Sequence, residues 1–259
     1  MEDSKFLTSL HAVPAAQVFG RVPRLFFSTQ PITIERLEAV MKVDPVVFGT
    51  LDVNGSGGVL TYLASILEPP DELISIIGPV DPGLTPLFPY PRKRLSKPVS
   101  LPEMKVLRVL VKDLRLPLKQ ISEYTGFSQK LAKRIRRQLL EGGLIQVQPI
   151  FQSARSSRIL MYELHVHSND DSVLSRIGRT LPRSMFVNQW EGVAVILSCW
   201  ADSISEVFET QRALSNEPGV TYVRAKFHAR TILSTDRLTS WIDQEIQARG
   251  GPKGLLKAT

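Results

Sequence analysis

The chain has 259 residues, of which 43% are hydrophobic, and it carries a formal net charge of +7. Its hydrophobic content is enough for two or three packed cores. It contains no apolar run near the roughly 20 residues that a membrane-spanning helix needs, and two acids stand where a secretory signal would be basic. With one cysteine, Cys199, it forms no internal disulfide. The composition therefore excludes membrane-spanning and disulfide-rich secreted proteins and predicts a cytoplasmic one.

Residues 1–80 are predicted to form a first domain in which strand, helix, strand, strand and helix follow one another. The strands are RLFFST, VVFGTLDV and VLTYLASI, and the helices are ITIERLEAVMKV and DELISIIGPV. The glycine-rich turn NGSGG, which begins at Asn54, lies between the second and third strands and is typical of a hairpin. This order is most of a ferredoxin-like βαββαβ unit. We expect its missing last strand to be supplied by residues 17–22 or by another chain.

A proline-rich stretch follows this first domain. Seven of the eighteen prolines lie between Pro79 and Pro102, together with the basic cluster Arg92-Lys93-Arg94 and Lys97. Such sequence is extended and semi-rigid, so we expect residues 81–100 to be a linker. Its basic cluster either follows phosphates or stays solvated.

Residues 101–158 are predicted to form a winged helix-turn-helix. The segment from Ser100 to Glu103 has capping-box spacing at the start of a helix. Gly126 supplies the turn after a second helix, and Ser128 stands where the N-cap of a third helix belongs. The strand LIQVQPIF, a polar turn over residues 152–158 and a further strand from Ile159 then form the wing.

The third helix has one strongly basic face. From residue 128 to residue 158, seven basic residues stand against one acid, Glu141. Bases without acids repel one another unless something anionic, such as phosphate, neutralises them. We therefore expect the start of this helix to contact base edges and the arginines to contact phosphates. The predicted DNA-binding residues are Ser128, Gln129, Lys130, Lys133, Arg134, Arg136, Arg137, Arg155 and Arg158.

Residues 159–233 are predicted to form a second ferredoxin-like domain with all six elements. Strand LMYELHVH, helix DSVLSRIGRTL, strands SMFVNQW and VAVILSCWA, helix SISEVFETQRALSN and strand VTYVRAKFHART follow in that order. A last helix and a tail occupy residues 234–259. The predicted fold class is thus α+β, with a central winged helix-turn-helix flanked by two ferredoxin-like (βαββαβ) α/β-sandwich units.

The motif TGFS-x-x-LAKRIRRQLLEGGLI and the second ferredoxin-like unit, with its Glu191-Gly192-Val193 hairpin and Glu217-Pro218-Gly219-Val220 turn, resemble the Lrp/AsnC family of prokaryotic transcriptional regulators. The resemblance covers roughly residues 101–231. It implies binding of double-stranded DNA by a homodimer or higher homo-oligomer. It also implies a small, amino-acid-like effector at Glu191 and Gly192. The family usually begins with its DNA-binding domain, so the N-terminal copy is a departure, and the two copies could pair within one chain.

Two other functions remain open beside the regulator. Siroheme decarboxylases are a branch of the same fold, and His165 and His167 project from the same side of one strand, where they suit a metal or tetrapyrrole. Neither His11 nor His228 has a spacing that ties it to this pair. A scaffold that pairs through its sheets is the other reading. No GxGxxG, Walker, GxSxG or HExxH motif is present. We therefore expect a regulator that is not an enzyme and has no catalytic residue, metal or cofactor.

Overall fold

A computed structural model of the chain describes residues 7–63, 70–80, 86–88, 98–151, 160–170, 172–173, 176–177, 181, 184–190 and 194–249. These residues belong to two compact units. Unit 1 combines Pro23–Pro89 with Phe151–Leu233, and unit 2 combines Ser9–Val22, Tyr90–Ile150 and Ser234–Thr259. Both units are therefore assembled from segments that are distant in sequence.

The described strands belong to two sheets. The strands in chain order are β1 (Leu7–Pro14), β2 (Val22–Phe27), β3 (Val46–Asp52), β4 (Gly57–Leu63), β5 (Pro86–Phe88), β6 (Ile145–Phe151), β7 (Leu160–Ser168), β8 (Ser184–Trp190), β9 (Ala194–Ala201) and β10 (Val220–Leu233). One sheet has the order β2-β4-β3-β10-β7-β9-β8-β5, and β1 pairs with β6 in the other.

The described α-helices mostly begin at capping residues that the sequence supplies. They are α1 (Ile34–Val40), α2 (Asp71–Ile77), α3 (Leu101–Lys112), α4 (Leu118–Thr125), α5 (Gln129–Glu141), α6 (Ile204–Ser215) and α7 (Thr235–Ala248). The hydroxyls of Thr33, Ser128 and Ser203 each accept a backbone N–H at the first turn of their helix. Such caps satisfy donors that have no partner within the helix.

The C-terminal half of unit 1 has the strand order of a ferredoxin-like fold, β10-β7-β9-β8. Helix α6 packs against its strands and contributes Val207 and Leu214 to a core that includes Tyr162, Leu164 and Leu197. The mixed α+β fold class that the sequence predicts is confirmed. The hairpin residues Glu191 and Gly192, the predicted effector site, lie outside the described residues.

The N-terminal half of unit 1 has the strand order β2-β4-β3, and its β3 edge pairs with β10 of the C-terminal half. The two halves therefore share one sheet within a single chain. The prediction that residues 17–22 complete this half is wrong, because Ala16–Phe19 is a 3-10 helix and Val22 already belongs to β2. At the β2 edge, the described residues have one isolated bridge, between Ser28 and Val80.

Strand β10 joins the halves by pairing with β7 along its first part and with β3 along its second. The register shifts between His228 and Arg230, where β10 has a bulge opposite β3. A bulge moves the alternation of side chains by one residue. Val223 and Phe227 accordingly pack on the C-terminal core, whereas Ile232 packs on the N-terminal core formed around Phe26, Leu37 and Leu73.

The division into units differs from the predicted domain order in several places. Ser9–Val22, predicted within the first domain, belongs to unit 2. Pro86–Phe88, within the predicted linker, forms β5 and pairs with β8 at the sheet edge. Residues 234–248, predicted as a separate terminal helix, belong to unit 2, where α7 packs on α3. There the Arg108 guanidinium donates to the Asp243 carboxylate at 2.6 Å, and the Arg21 guanidinium lies 4.1 Å from the centre of the Trp241 ring.

The predicted wing does not form as a hairpin of β6 with the following strand. Strand β6 pairs with β1 instead, and the backbone N–H of Ala15 donates to the Leu144 carbonyl at 3.0 Å. Strand β7 pairs with β9 and β10, because its buried side chains Tyr162, Leu164 and Val166 belong to the unit 1 core.

The three predicted helices of this domain are present as α3, α4 and α5. In the part of the chain that the structure describes, none of the helices has both the length and the hydropathy to cross a membrane.

One cooperative sheet predicts that core substitutions in either half lower the stability of both halves. Leu37 and Leu164 are fully buried in the N-terminal and C-terminal cores. We expect Leu37→Ala and Leu164→Ala each to lower the free energy of unfolding by about 2–5 kcal/mol. Urea titration monitored by circular dichroism should show unit 1 unfolding in one transition in both variants. Exposed Phe208→Ala is the control and should cost little. Loss of one half alone would contradict the shared sheet.

Candidate active site

A cluster of charged and titratable side chains lies on the face of the unit 1 sheet opposite the helix-covered cores. Along β7, Tyr162, Leu164 and Val166 point into the C-terminal core, so Glu163 and His165 project from the other face. The His165 side chain is 8% exposed, and its Nε2 lies 3.3 Å from Glu163 Oε2. A carboxylate here accepts a hydrogen bond, so the proton of the neutral imidazole is on Nε2 and Nδ1 keeps its lone pair.

His228 connects this pair to the N-terminal half. Its Nε2 lies 3.1 Å from Glu163 Oε1, and its Nδ1 lies 3.0 Å from Asp52 Oδ1 at the end of β3. The bulge in β10 places His228 directly opposite Asp52 in the register. Asp52 is 4% exposed, and its Oδ2 also accepts the Ser56 hydroxyl at 2.7 Å. The four groups Asp52, His228, Glu163 and His165 thus form a continuous chain whose ends, Asp52 and His165, are buried and whose middle members are partly buried.

Lys226 and Phe27 close the cluster from two sides. The Lys226 ammonium lies 3.7 Å from Asp52 Oδ2 and 4.2 Å from the centre of the Phe27 ring, which lies 5.4 Å from the His165 ring. Because Phe27 belongs to β2 and His165 to β7, the sheet curves until the helix-free faces of its halves meet. Leu25 and Leu60 pack there against Ile196.

Burial and ion pairing act in opposite directions on the two acids. Burial by itself raises the pKa of Glu163, but the charge of His228, whose Nε2 lies 3.1 Å away, and the hydrogen bond from His165 bring this pKa below its ordinary value. Burial likewise raises the pKa of Asp52, and the hydrogen bonds from His228 and Ser56 bring it below its usual range. Both carboxylates are therefore ionised at neutral pH.

The basic groups of the cluster differ in charge. Burial lowers the pKa of His165, and the attraction of Glu163 only partly offsets this. Burial also disfavours the charged form of His228, but Glu163 and Asp52 raise its pKa to about 10. Burial lowers the pKa of Lys226 despite Asp52. At neutral pH the cluster holds two carboxylates, an ammonium, an imidazolium and one neutral imidazole, His165.

A more exposed rim lies next to His165 on the same face. Arg224 is directly opposite His165 in the register of β10 and β7, and its side chain is exposed. Tyr222 is directly opposite His167, and their rings meet edge to face at 5.5 Å. Burial lowers the pKa of His167, and the nearby His165 adds to this. A neutral imidazole beside an exposed guanidinium suits an anionic ligand that must accept or release a proton.

The predicted pair His165 and His167 does project from one face, but the structure brings His165 together with Glu163 and His228 rather than with His167. Sequence spacing gives His228 no tie to the pair, but the bulge of β10 carries it to Glu163 across the sheet. Within the described residues, no group of three or more acidic, histidine or cysteine side chains is arranged to hold a metal ion.

The predicted DNA-binding residues that fall in the described part of the chain lie on α5 of unit 2. Ser128 caps this helix, with its hydroxyl accepting the Leu131 N–H at 3.3 Å. Lys130, Lys133 and Arg134 are exposed, and so are Gln129 and Arg137. Arg136 is half-buried and donates to the Leu116 carbonyl at 3.4 Å. Arg155 and Arg158 lie outside the described residues.

A groove of about 790 Å³ runs along this basic face. Its floor contains Leu118, Leu131 and Leu140, and its walls carry Lys130, Lys133, Arg134, Arg136 and Arg137. Arg137 also lies 3.7 Å from Glu141 one helical turn on, an exposed pair that neutralises little of the charge.

The cysteine Cys199 is buried in the C-terminal core. Burial raises the pKa of its thiol to about 12, so it stays a thiol at neutral pH.

The chain matches no protein-family model and no curated protein sequence. Among solved structures, it resembles the siroheme decarboxylase NirDL over 94% of this chain and 84% of that one, with 10% identity and a TM-score of 0.54. It also resembles NirDL in co-complex with an iron-uroporphyrin III analogue, over 96% of this chain and 86% of that one, with 12% identity and a TM-score of 0.53.

Transcriptional regulators match a smaller part of the chain. A member of the AsnC family from Pyrococcus furiosus covers 54% of this chain and 95% of its own, with 18% identity and a TM-score of 0.33. This regulator thus matches about half of the chain, whereas NirDL matches nearly all of it. The expectation that the chain is not an enzyme is contradicted, because the fold it shares over almost its whole length is that of an enzyme.

The pKa of His228 makes a prediction about stability in mild alkali. Its folded pKa of about 10 lies above its ordinary 6.5, so its stabilisation is complete below pH 6.5 and is lost as the pH rises through about 10. Between about pH 7 and 9 the folded state holds one proton that the unfolded state has lost. Each pH unit of increase therefore lowers the free energy of unfolding by up to about 1.4 kcal/mol. We expect this slope in urea titrations of the wild type and a shallower one in His228→Gln.

His11→Gln is the matched control, because His11 lies in unit 2, where it contacts the Val111 carbonyl. It should keep the slope of the wild type. An identical alkaline slope in His228→Gln and the wild type would show that His228 does not hold this proton.

Proposed function

We propose that the protein is an enzyme of the siroheme decarboxylase type, which removes carbon dioxide from a carboxylated side chain of a tetrapyrrole. The observation that carries the proposal is the chain of Glu163 with His165 and His228, which is largely buried on the helix-free face of the sheet. Burying a charge costs free energy unless an opposite charge compensates it. Groups with strongly shifted pKa values concentrate at functional sites. The near full-length likeness to NirDL supports a decarboxylation as the reaction class.

The substrate would be anchored by its own negative charge. A tetrapyrrole that carries several carboxylates needs cations at the entrance of the site, and Arg224 is the exposed cation directly opposite His165. A guanidinium binds a carboxylate through two parallel hydrogen bonds, which fixes orientation as well as position. The Tyr222 ring, half exposed beside His167, offers a flat apolar surface to the macrocycle.

His165 would carry the proton. Its Nδ1 takes up a proton from solvent, the bond between the side-chain carbon and the substrate carboxylate breaks, and the electron pair stays on the side-chain carbon. Carbon dioxide leaves, and Nδ1 gives the proton to that carbon. Glu163 supports both steps, because its ionised carboxylate at 3.3 Å from Nε2 stabilises the transient imidazolium. The apolar contact with Phe27 limits the access of water to this ring.

A second candidate function, binding of double-stranded DNA by α5, is favoured by the exposure of its basic face. Lys130, Lys133, Arg134 and Arg137 project from one side of the helix, and the groove along that side is lined by no acid in the described part of the chain. Phosphates neutralise such a face with release of counterions. The amino-acid-like effector at Glu191 and Gly192 and the homo-oligomer stay predictions of the sequence resemblance.

The decarboxylase proposal predicts that the purified protein converts siroheme to a product lighter by carbon dioxide. We expect His165→Gln to lower the rate by at least about 100-fold, since it removes the group that exchanges the proton. Mass spectrometry of the tetrapyrrole under anaerobic conditions measures the conversion.

His11→Gln again provides the matched control and should keep the activity of the wild type. Conversion by His165→Gln at the wild-type rate would exclude His165 as the proton carrier. A wild-type protein that leaves siroheme unchanged would exclude the decarboxylase.

The DNA proposal predicts that Lys133→Ala and Arg137→Ala each weaken binding to duplex DNA. Each should also lower the salt dependence by about one phosphate contact. Fluorescence anisotropy over a series of salt concentrations measures both effects, and thermal melting should be unchanged because both side chains are exposed. Arg36→Ala, at an exposed position of unit 1, is the control. Affinity that is unchanged in low salt would exclude α5 as the contact.

A further inference from the structure

Asp52 is the titratable member of the described cluster that comes from the N-terminal half of unit 1. Its carboxylate is almost fully buried at the end of β3 and is fixed on three sides. It accepts from His228 Nδ1 at 3.0 Å and from the Ser56 hydroxyl at 2.7 Å, and it lies 3.7 Å from the Lys226 ammonium. None of these contacts reaches His165, on which Asp52 acts directly only through its charge. The hydrogen-bonded and ion-paired route from Asp52 to that imidazole passes through His228 and Glu163.

The His228 ring stands between two carboxylates. Nδ1 faces Asp52 at 3.0 Å, and Nε2 faces Glu163 at 3.1 Å. Ionised carboxylates only accept hydrogen bonds, so this arrangement favours a ring with a proton on both nitrogens. The β10 bulge holds the backbone of His228 opposite Asp52, and the Val53 N–H donates to the Phe227 carbonyl at 2.8 Å beside it. The ring orientation is therefore set from the N-terminal half.

We propose that Asp52 is a positioning residue that keeps His228 doubly protonated and facing Glu163, so that Glu163 stays ionised and accepts the Nε2 proton of His165. The basicity of the reactive Nδ1 of His165 would then depend on the Asp52 carboxylate, which is connected to it through His228 and Glu163. That catalytic consequence rests on the proposed function, whereas the coupling between Asp52 and His228 does not.

The balance of charge explains why Asp52 and no other group would do this. Among the described residues, Asp52 on β3 and Glu163 on β7 lie next to His228, and the Lys226 ammonium on β10 lies 3.7 Å from Asp52 Oδ2. With Asp52 ionised, two negative charges balance the Lys226 ammonium and the His228 imidazolium. Without the charge of Asp52, one carboxylate would balance two cations, Lys226 and His228. The His228 imidazolium would then lose its proton at a lower pH. Asp52→Asn tests this at nearly constant shape.

The experiment is nitrogen-15 NMR of histidine-labelled, substrate-free protein over a pH series. In the wild type we expect both His228 nitrogens to stay protonated well above neutral pH, and His165 to be neutral with its proton on Nε2. In Asp52→Asn we expect the titration of His228 to move down by at least about one pH unit. Ser56→Ala, which removes one hydrogen bond to Asp52, should move it in the same direction by less. Titration of His228 near its ordinary value in the wild type, or an unchanged titration in both variants, would overturn the proposal.

An activity measurement separates positioning from the proposed reaction. Given siroheme conversion by the wild type, Asp52→Asn should lower kcat by roughly 10- to 100-fold, with KM unchanged. The alkaline limb of its pH profile should shift to lower pH, and Asp52→Glu should restore part of the rate. A shifted His228 titration in a protein that converts no siroheme would support the coupling while refuting the decarboxylase. An unshifted His228 in an active Asp52→Asn variant would do the reverse.

Discussion

Two carboxylates on the inner face of the sheet, one buried and one partly buried, are stabilised by two cations that lie beside them. Removing a carboxylate from water costs several kcal/mol, and the cost is recovered only at close range to an opposite charge and with hydrogen bonds in place. Glu163 and Asp52 meet that condition through His228, which lies between them. The curvature of the sheet contributes to this stabilisation, because it brings Phe27 of β2 against Lys226 and His165. The ring shields both groups on the side that the strands do not cover.

Strand β10 is the element through which this constraint is met. It completes the ferredoxin-like order beside β7 and then continues along β3, so that one strand serves two cores. The bulge after His228 allows this, because without the shift the side chain of Ile232 would leave the N-terminal core. The same irregularity that joins the cores thus also aims His228 between the carboxylates.

Much of the fold could be predicted from sequence, because its signals are local. Glycine turns, the Ser128 cap and the alternation of β7 each depend on a few neighbouring residues and predict their elements well. The pairing of β6 with β1 and of β10 with β3 depends on residues more than a hundred positions apart. The spacing of residues within β7 predicted that His165 and His167 share a face. It could not bring in Asp52 or His228, because no spacing in the chain encodes a contact made across a bulge in a shared sheet.

The covalent union of the two halves sets how the site responds to dilution. In an assembly of identical subunits, every contact occurs twice, and the fraction assembled falls with concentration. Here β3 and β10 belong to one polypeptide, so Asp52 meets His228 at any protein concentration. Each half is also free to change its residues independently of the other. The pairing of unlike halves therefore permits a single, asymmetric cluster where a symmetric dimer would have to build two equal ones.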